Sequence, residues 1–310
     1  MEQENRNDEL EPKWKILSPA LRAQMLLLPP QIRESVEELR VREGRLLALV
    51  IAGQEKTPEE WKSRQVTSRD ISWILETAGQ GSIHTILPQL RQGYVAVEGG
   101  NRIGVCGSVV VKDGEVTNFR RISSLAVRFS REVTGIALPL LPRLMEEGRL
   151  QSTLILSPPG GGKTTLLRDL IRCISDGNGI TPLRVGVADE RGEICGMAAG
   201  TPQKNVGTRT DIVDGCPRAP ALLMLLRGMN PQVLAMDEIT ENRDLAAAVE
   251  AAGCGVVLLA TAHGAVPREM KLRPVYRDLL REGIFRRFIW ISMADGRRQY
   301  RVMTAEEMAQ

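Results

Sequence analysis

Ser157-Pro158-Pro159-Gly160-Gly161-Gly162-Lys163-Thr164-Thr165 is the stretch whose reading decides the fold of this chain. An apolar run, residues 153–156, leads into it, and a helical pattern, residues 163–173, leads out. Strand, glycine-rich turn and helix in that order put a curl of backbone amides at a helix N-terminus. Glycine permits the curl, so that successive N–H groups point at one anion, and the helix dipole adds partial positive charge at the same place. Pro159, Gly160, Gly161, Gly162, Lys163, Thr164 and Thr165 are therefore expected to hold the phosphates of ATP. Lys163 is placed to reach the β- and γ-phosphates, and the Thr164 hydroxyl to ligate Mg2+. One position departs from the usual GxxxxGK[ST] pattern: Ser157 stands where its first glycine belongs.

Outward from this loop the chain alternates strands with helices. Residues 184–188, 233–236 and 255–260 read as further strands, and 219–229 and 243–252 as helices. That rhythm predicts a mainly parallel sheet with helices on both faces. Residues 285–292 and 299–303 predict an edge hairpin turning at Asp295-Gly296. In such sheets ligands gather at the C-terminal ends of the strands, so the residues closing each strand are candidates. The run 233–236 closes on Asp237 and Glu238, an acid to hold the magnesium through its water shell and a base for the attacking water. Residues 184–188 close on Asp189 and Glu190, and Glu190 competes with Glu238 as the base; the plainer alternative is a charged loop with its own Arg191 ion pair. Thr261-Ala262-His263-Gly264 closes the next strand, where His263 either senses the γ-phosphate or is an ordinary satisfied polar group. The expected catalytic set is Glu238, Glu190, Lys163 and His263, with Thr164 and Asp237 on the metal.

Upstream the pattern differs. Residues 37–50 read as two strands meeting at Glu43-Gly44, and 67–78 as a helix capped by Thr67 or Ser68 with Ile71, Ile74, Leu75 and Ala78 on one face. Residues 94–97, 102–111, 115–122 and 125–130 read as a meander, turning at 99–101 and at Asp113-Gly114. The expected organisation is an α+β N-terminal domain over 1–134 with a frayed start at 1–13, a joint over 135–150, and an ATPase domain over 151–310.

Composition limits the function classes. The chain has 310 residues, 43% hydrophobic and 25% charged, as in an ordinary globular protein. With only 4% aromatic residues the core must be aliphatic, and a net charge of +3 makes no case for nucleic acid. The five cysteines form no CxxC pair, which predicts free, buried thiols in a reducing compartment. The start of the chain does not read as a signal peptide, and no run of about 18 apolar residues offers a membrane span. A cytoplasmic location is expected, with any membrane association made through partners.

The order of these elements resembles the secretion-type ATPases of type II secretion and type IV pili: phosphate loop, acidic box at 189–193, Arg227-Gly228-Met229-Asn230-Pro231 before the strand ending in Asp237-Glu238, then His263. It is more similar still to the family of stage III sporulation protein AA. Leu39-Arg40-Val41-Arg42-Glu43-Gly44-Arg45, Leu90-Arg91-Gln92-Gly93-Tyr94 and the stretch 121–133 carry that likeness. The resemblance implies a RecA-like P-loop core, a homo-oligomer in the form of a hexameric ring, and membrane-protein partners in a sporulation channel complex on the mother-cell side. It also implies arginines of the first domain near the nucleotide, a role that Arg121, Arg128 and Arg131 fit by position. Two other functions are consistent with the motifs: a RecA-like nucleic-acid motor, which the lack of interleaved aromatics disfavours, and a nucleotide-bound scaffold with little turnover.

Overall fold

The computed structural model describes residues 12–129, 132–198, 200–264, 274–294 and 297–309. The chain forms two compact units, Met1–Arg131 with Gly196–Gln203, and Glu132–Cys195 with Lys204–Gln310.

The first unit holds helices α1 (Pro19–Leu26), α2 (Pro30–Ser35), α3 (Ser68–Ala78) and α4 (Leu87–Arg91). Its strands are β1 (Glu38–Arg42), β2 (Ala48–Ile51), β3 (Gln54–Lys56), β4 (Tyr94–Val97), β5 (Asn101–Lys112) and β6 (Glu115–Arg128). They form one antiparallel sheet in the order β3-β2-β1-β6-β5-β4. Alternate side chains point inward, as the period of two requires: Leu39 and Val41, Ile103 and Val105, Leu125 and Val127. They meet Trp14, Trp61, Leu21, Met25, Ile71 and Ile74 in one core. Thr67 and Asp70 start α3 with a reciprocal capping box.

Three expectations need correction here. Residues 115–128 form one strand, not two. Ser123 and Ser124 read as a break, but Ser124 pairs with Cys106 of β5 and Arg42 of β1, Ser123 O accepts from the Glu43 N–H, and bulges in β6 take up its extra residues against β5. The start does not all belong to a frayed tail: residues 1–11 lie outside the described residues, while Pro12–Ile16 is a 3-10 turn that buries Trp14 fully. All five cysteines are free, but only Cys173 and Cys195 are buried, and Cys106 and Cys254 are exposed.

The second unit begins with α5 (Leu141–Leu144), β7 (Met145–Glu146), β8 (Arg149–Leu150), β9 (Thr153–Ser157), α6 (Lys163–Asp176) and β10 (Val185–Asp189). A short hairpin, β11 (Met197–Ala198) and β12 (Thr201–Pro202), belongs to the first unit. The second unit continues with β13 (Thr210–Asp214), α7 (Arg218–Gly228), β14 (Val233–Met236), α8 (Asn242–Gly253), β15 (Val257–His263), α9 (Pro274–Glu282), β16 (Arg287–Ala294), β17 (Arg297–Thr304) and α10 (Ala305–Ala309). The sheet order is β13-β10-β14-β15-β9-β16-β17, parallel throughout except for β17. Every residue of β9, β10 and β14 is buried, which is why these strands read as continuous apolar runs.

Residues 135–150 lie in the second unit: the Ala137 N–H donates to Asp169 Oδ2 at 2.7 Å, and Leu141 and Leu144 are fully buried. β13 went unpredicted because an edge strand needs only half of its face apolar, and Thr210-Asp211-Ile212-Val213-Asp214 looks like surface. The expected turn at Asp295-Gly296 lies outside the described residues. Among the described residues no helix is long and apolar enough to cross a membrane.

Candidate nucleotide site

The C-terminal ends of β9, β10, β14 and β15 surround a cleft of about 470 Å³. Pro159, Gly160, Gly162, Lys163, Thr164 and Thr165 line it from the loop side. Glu190, Asp237, Glu238 and His263 line it from the strand ends, joined by Arg218 and Arg298. Gly161 lines a second hollow on the outer side of the loop.

The loop curls because Gly160 and Gly162 take φ of 72° and 98°, values costly for any residue with a Cβ. The odd serine has a steric explanation. A Cβ on Gly161 would come within 2.3 Å of Ser157 Oγ, so the serine hydroxyl occupies the room that Gly161 leaves. There Ser157 Oγ donates to Pro158 O at 2.8 Å. Ser157 itself is the buried last residue of β9 and needs no positive φ.

Asp237 receives two hydroxyl donors. Thr164 Oγ1 donates to Oδ2 at 2.8 Å and Thr261 Oγ1 to Oδ1 at 2.5 Å. The first contact joins the start of α6 to the end of β14, residues 73 positions apart in sequence. A carboxylate and a hydroxyl together suit magnesium, a hard cation that keeps several waters and takes phosphate oxygens as its other ligands. Among the described residues no group of three or more His, Cys, Asp or Glu side chains gathers to hold a metal, so the donor set fits this mode of binding and no protein cage.

Lys163, His263 and Glu238 form a chain of contacts. Lys163 Nζ lies 2.9 Å from His263 Nδ1, and His263 Nε2 contacts Glu238 Oε1. An ammonium can only donate, so Nδ1 accepts and the ring hydrogen sits on Nε2, facing the carboxylate. Burial pushes the Lys163 ammonium below the ordinary lysine value, while the charges of Glu238 and Asp237 pull it back up. Glu238 sits at φ 46°, a left-handed backbone that is strained for glutamate. Both of its peptide groups are held: its N–H donates to Thr261 Oγ1 at 2.9 Å, and its carbonyl accepts from Arg218 Nη1 at 2.9 Å.

Arg218 is the residue that sequence reasoning missed. It is buried in the first turn of α7, and its Nη2 lies 2.8 Å from Glu190 Oε2, with Asp244 3.8 Å from its Nε. It thereby ties the end of β10 to the end of β14, and Glu190 pairs with it instead of Arg191. A signal was present: a cation at a helix N-terminus opposes the dipole and calls for a local partner. Thr261 could have been found as the second residue before His263. Arg298, which donates to Gly161 O at 3.0 Å from β17, had no local signal.

Asp189 also lines the cleft, but its carboxylate is engaged by its own loop. It is 1% exposed and accepts from the Cys195 and Ile194 amides at 2.7 and 3.2 Å. Arg168 clamps the same loop from its carbonyls, donating to Ile194 O and Glu193 O at 2.5 Å each. Of the first-unit arginines, Arg121 pairs with Glu43 at 2.7 Å and Arg128 with Glu38 at 2.9 Å, while Arg131 lies outside the described residues.

Comparison with known proteins follows the same lines. The family model described as "Sporulation stage III, protein AA" matches residues 6–306. Stage III sporulation protein AA of Bacillus subtilis (strain 168) is 38% identical over 283 residues, 91% of each chain. A solved structure of the pilus retraction motor PilT with bound ADP superposes with a TM-score of 0.60 at 16% identity, covering 96% of this chain and 83% of that one. The Legionella pneumophila ATPase DotB superposes at 0.55 with 15% identity, covering 92% and 80%. At these identities the likeness shows a shared fold, an N-terminal domain followed by a RecA-like P-loop core.

Proposed function

The chain belongs to the sporulation stage III, protein AA family, and from that premise we infer that it is an ATP-hydrolysing motor of a sporulation secretion or channel complex. The observation that carries the reading is Thr164 Oγ1 meeting Asp237 Oδ2 at 2.8 Å, which closes a phosphate loop onto an acidic strand end. In this reading the amides from Gly160 to Lys163 and the Lys163 ammonium hold the β- and γ-phosphates of ATP. Thr164 and Asp237 hold Mg2+, which when bound neutralises charge on the phosphate oxygens. Glu238 takes the proton of the attacking water, and His263 orients its carboxylate while reporting on the position of Lys163. Glu190 positions Arg218, which keeps the Glu238 peptide in its strained conformation.

The two units act as the motor's two domains, and hydrolysis changes the angle between them, a common use of nucleotide in switching proteins. The assembly is a homo-oligomeric ring, a hexamer by family analogy, docked on membrane proteins from the mother-cell cytoplasm. In the ring Arg121, Arg128 or Arg131 reaches a neighbour's nucleotide.

The test couples phosphate release to light scattering on one sample. Wild type should hydrolyse ATP and gain mass with ATP. Lys163→Ala should lose binding and turnover, and Glu238→Gln should bind without turning over. A strictly monomeric, fully active protein removes the ring motor, and wild-type hydrolysis by both variants removes the site.

A further inference from the structure

A hollow of about 870 Å³, larger than the phosphate cleft, lies at the other end of the parallel sheet. Gln151, Leu183, Gln232 and Val256 line it just before the starts of β9, β10, β14 and β15, whereas the phosphate-handling groups gather at strand ends. Arg227-Gly228-Met229-Asn230-Pro231 leads into β14 and lines no part of the phosphate cleft, but Arg227, Asn230 and Pro231 line this hollow. Asn230 makes the corner at φ 47°, and its carbonyl accepts from Arg184 Nε at 2.9 Å. The walls are apolar and only partly covered: Leu150 is buried, Met145, Leu183, Leu226 and Val256 are half-buried, and Met229 beside Arg227 is 46% exposed. The charges on the lining do not balance. Arg227 meets Glu250 at 3.6 Å in an exposed pair, which contributes little. Arg149 has no carboxylate partner among the described residues, because Glu146, its cross-strand neighbour in the β7–β8 hairpin, turns to Arg287 at 3.6 Å.

We propose that this hollow is a docking groove for an acidic, amphipathic helix of another protein, which inserts an apolar face and sets carboxylates against Arg149 and Arg227. The backbone at the strand starts is already paired: the Gln232 N–H donates to Arg184 O at 3.0 Å and the Val257 N–H to Gln232 O at 3.1 Å. An added strand would find no free amide there. A helix brings its own backbone satisfied and docks through side chains at i, i+3, i+4 and i+7. The apolar walls take those side chains, and the thioethers of Met145 and Met229 adapt to their shape. The surplus guanidinium of Arg149 selects acidic over basic partners. Docking at the strand starts leaves the strand ends, where the phosphate cleft lies, uncovered.

The experiment uses the full chain without nucleotide, so its outcome is independent of the reading of the phosphate cleft. The probe is a fluorescein-labelled synthetic peptide of about four helical turns, with leucine at i, i+3, i+4 and i+7, glutamate flanking them and alanine elsewhere. Fluorescence anisotropy should show it binding, with a scrambled peptide of the same composition weaker by about tenfold or more. Thr181→Trp puts an indole into the hollow from an exposed lining position and should weaken the peptide by about tenfold. Arg149→Glu should weaken it by about the same factor and lessen its salt dependence. A peptide with lysine in place of glutamate should recover affinity for Arg149→Glu and not for wild type. Should Thr181→Trp fail to fold, this charge exchange carries the test alone. Absence of peptide binding overturns the proposal, as does equal binding of the scrambled peptide or equal binding by folded Thr181→Trp. Phosphatidylglycerol vesicles that bind wild type and not Thr181→Trp would make the occupant a lipid surface. Self-association of wild type that Thr181→Trp loses in light scattering would make it a second copy of this chain. Either result overturns the partner helix.

Discussion

Two neighbouring strands of the parallel sheet, β10 and β14, close on the same dipeptide, Asp189-Glu190 and Asp237-Glu238, yet the two ends are built for different work. Asp189 is sealed against the backbone amides of Ile194 and Cys195, donors fixed by the path of the chain. Among the described residues Asp237 accepts from two threonine hydroxyls, which rotate and can turn to another acceptor. Glu190 is committed to a guanidinium, whereas Glu238 touches a histidine that in turn touches Lys163. An acid at a strand end thus becomes structural when its donors are fixed and available for chemistry when its donors can be exchanged.

The strongest way to break this contrast is turnover. Glu238→Gln should lower kcat by about 10²–10⁴, the usual worth of a general base, and Glu190→Gln by less than about tenfold. Phosphate-release kinetics decide it, and the reverse ranking moves the base to β10. Stability comes next. Asp189→Ala orphans two buried amides at about 1–3 kcal/mol each, while Asp237→Asn should change unfolding by less than about 1 kcal/mol, since threonine hydroxyls adapt. Urea titrations compare the two, and an Asp237 variant as unstable as the Asp189 variant would erase the distinction.

A smaller effect should appear in metal dependence. In Asp237→Asn the gain in ATP affinity on adding magnesium should shrink by about 10–100-fold, read by calorimetry with and without the metal. Asp189 variants that remain folded should keep that gain. The smallest effect is on pH. Burial pushes the Asp189 carboxyl up, against the pull of the Cys195 and Ile194 amides. The folded chain therefore holds this proton more tightly than the unfolded chain does. Its contribution to stability is full below the unfolded value of about 3.9 and is lost as pH rises through the folded value. Asp189→Asn should flatten that decline in unfolding free energy, and a wild-type slope no steeper than the variant's would contradict it.

Much of the fold was legible because its signals are local. The fully buried strands β9, β10 and β14 announce themselves as apolar runs, and Thr67 announces the start of α3. β13 and the continuity of β6 were not legible, because pairing with neighbours distant in sequence, not local propensity, keeps those residues extended. The site divides the same way. Lys163, Thr164, Asp237, Glu238 and His263 could be named from their positions in loops and strand ends, and all five line one cleft. Asp189 looked equivalent to Asp237, and only its burial and amide partners set it apart.

The amino-acid sequence by itself determined that a glycine-rich loop joins a buried strand to a helix, since steric freedom and hydrogen bonding there involve residues within a few positions of each other. It also placed acids at the ends of two strands. Only the tertiary structure decided which aspartate would be held by backbone amides and which by threonine hydroxyls, that Arg218 would bridge β10 to β14, and that Arg298 would reach Gly161 from β17. Those arginine contacts join residues separated by 20 to 137 positions. Their energies depend on burial and distance, which no local pattern encodes.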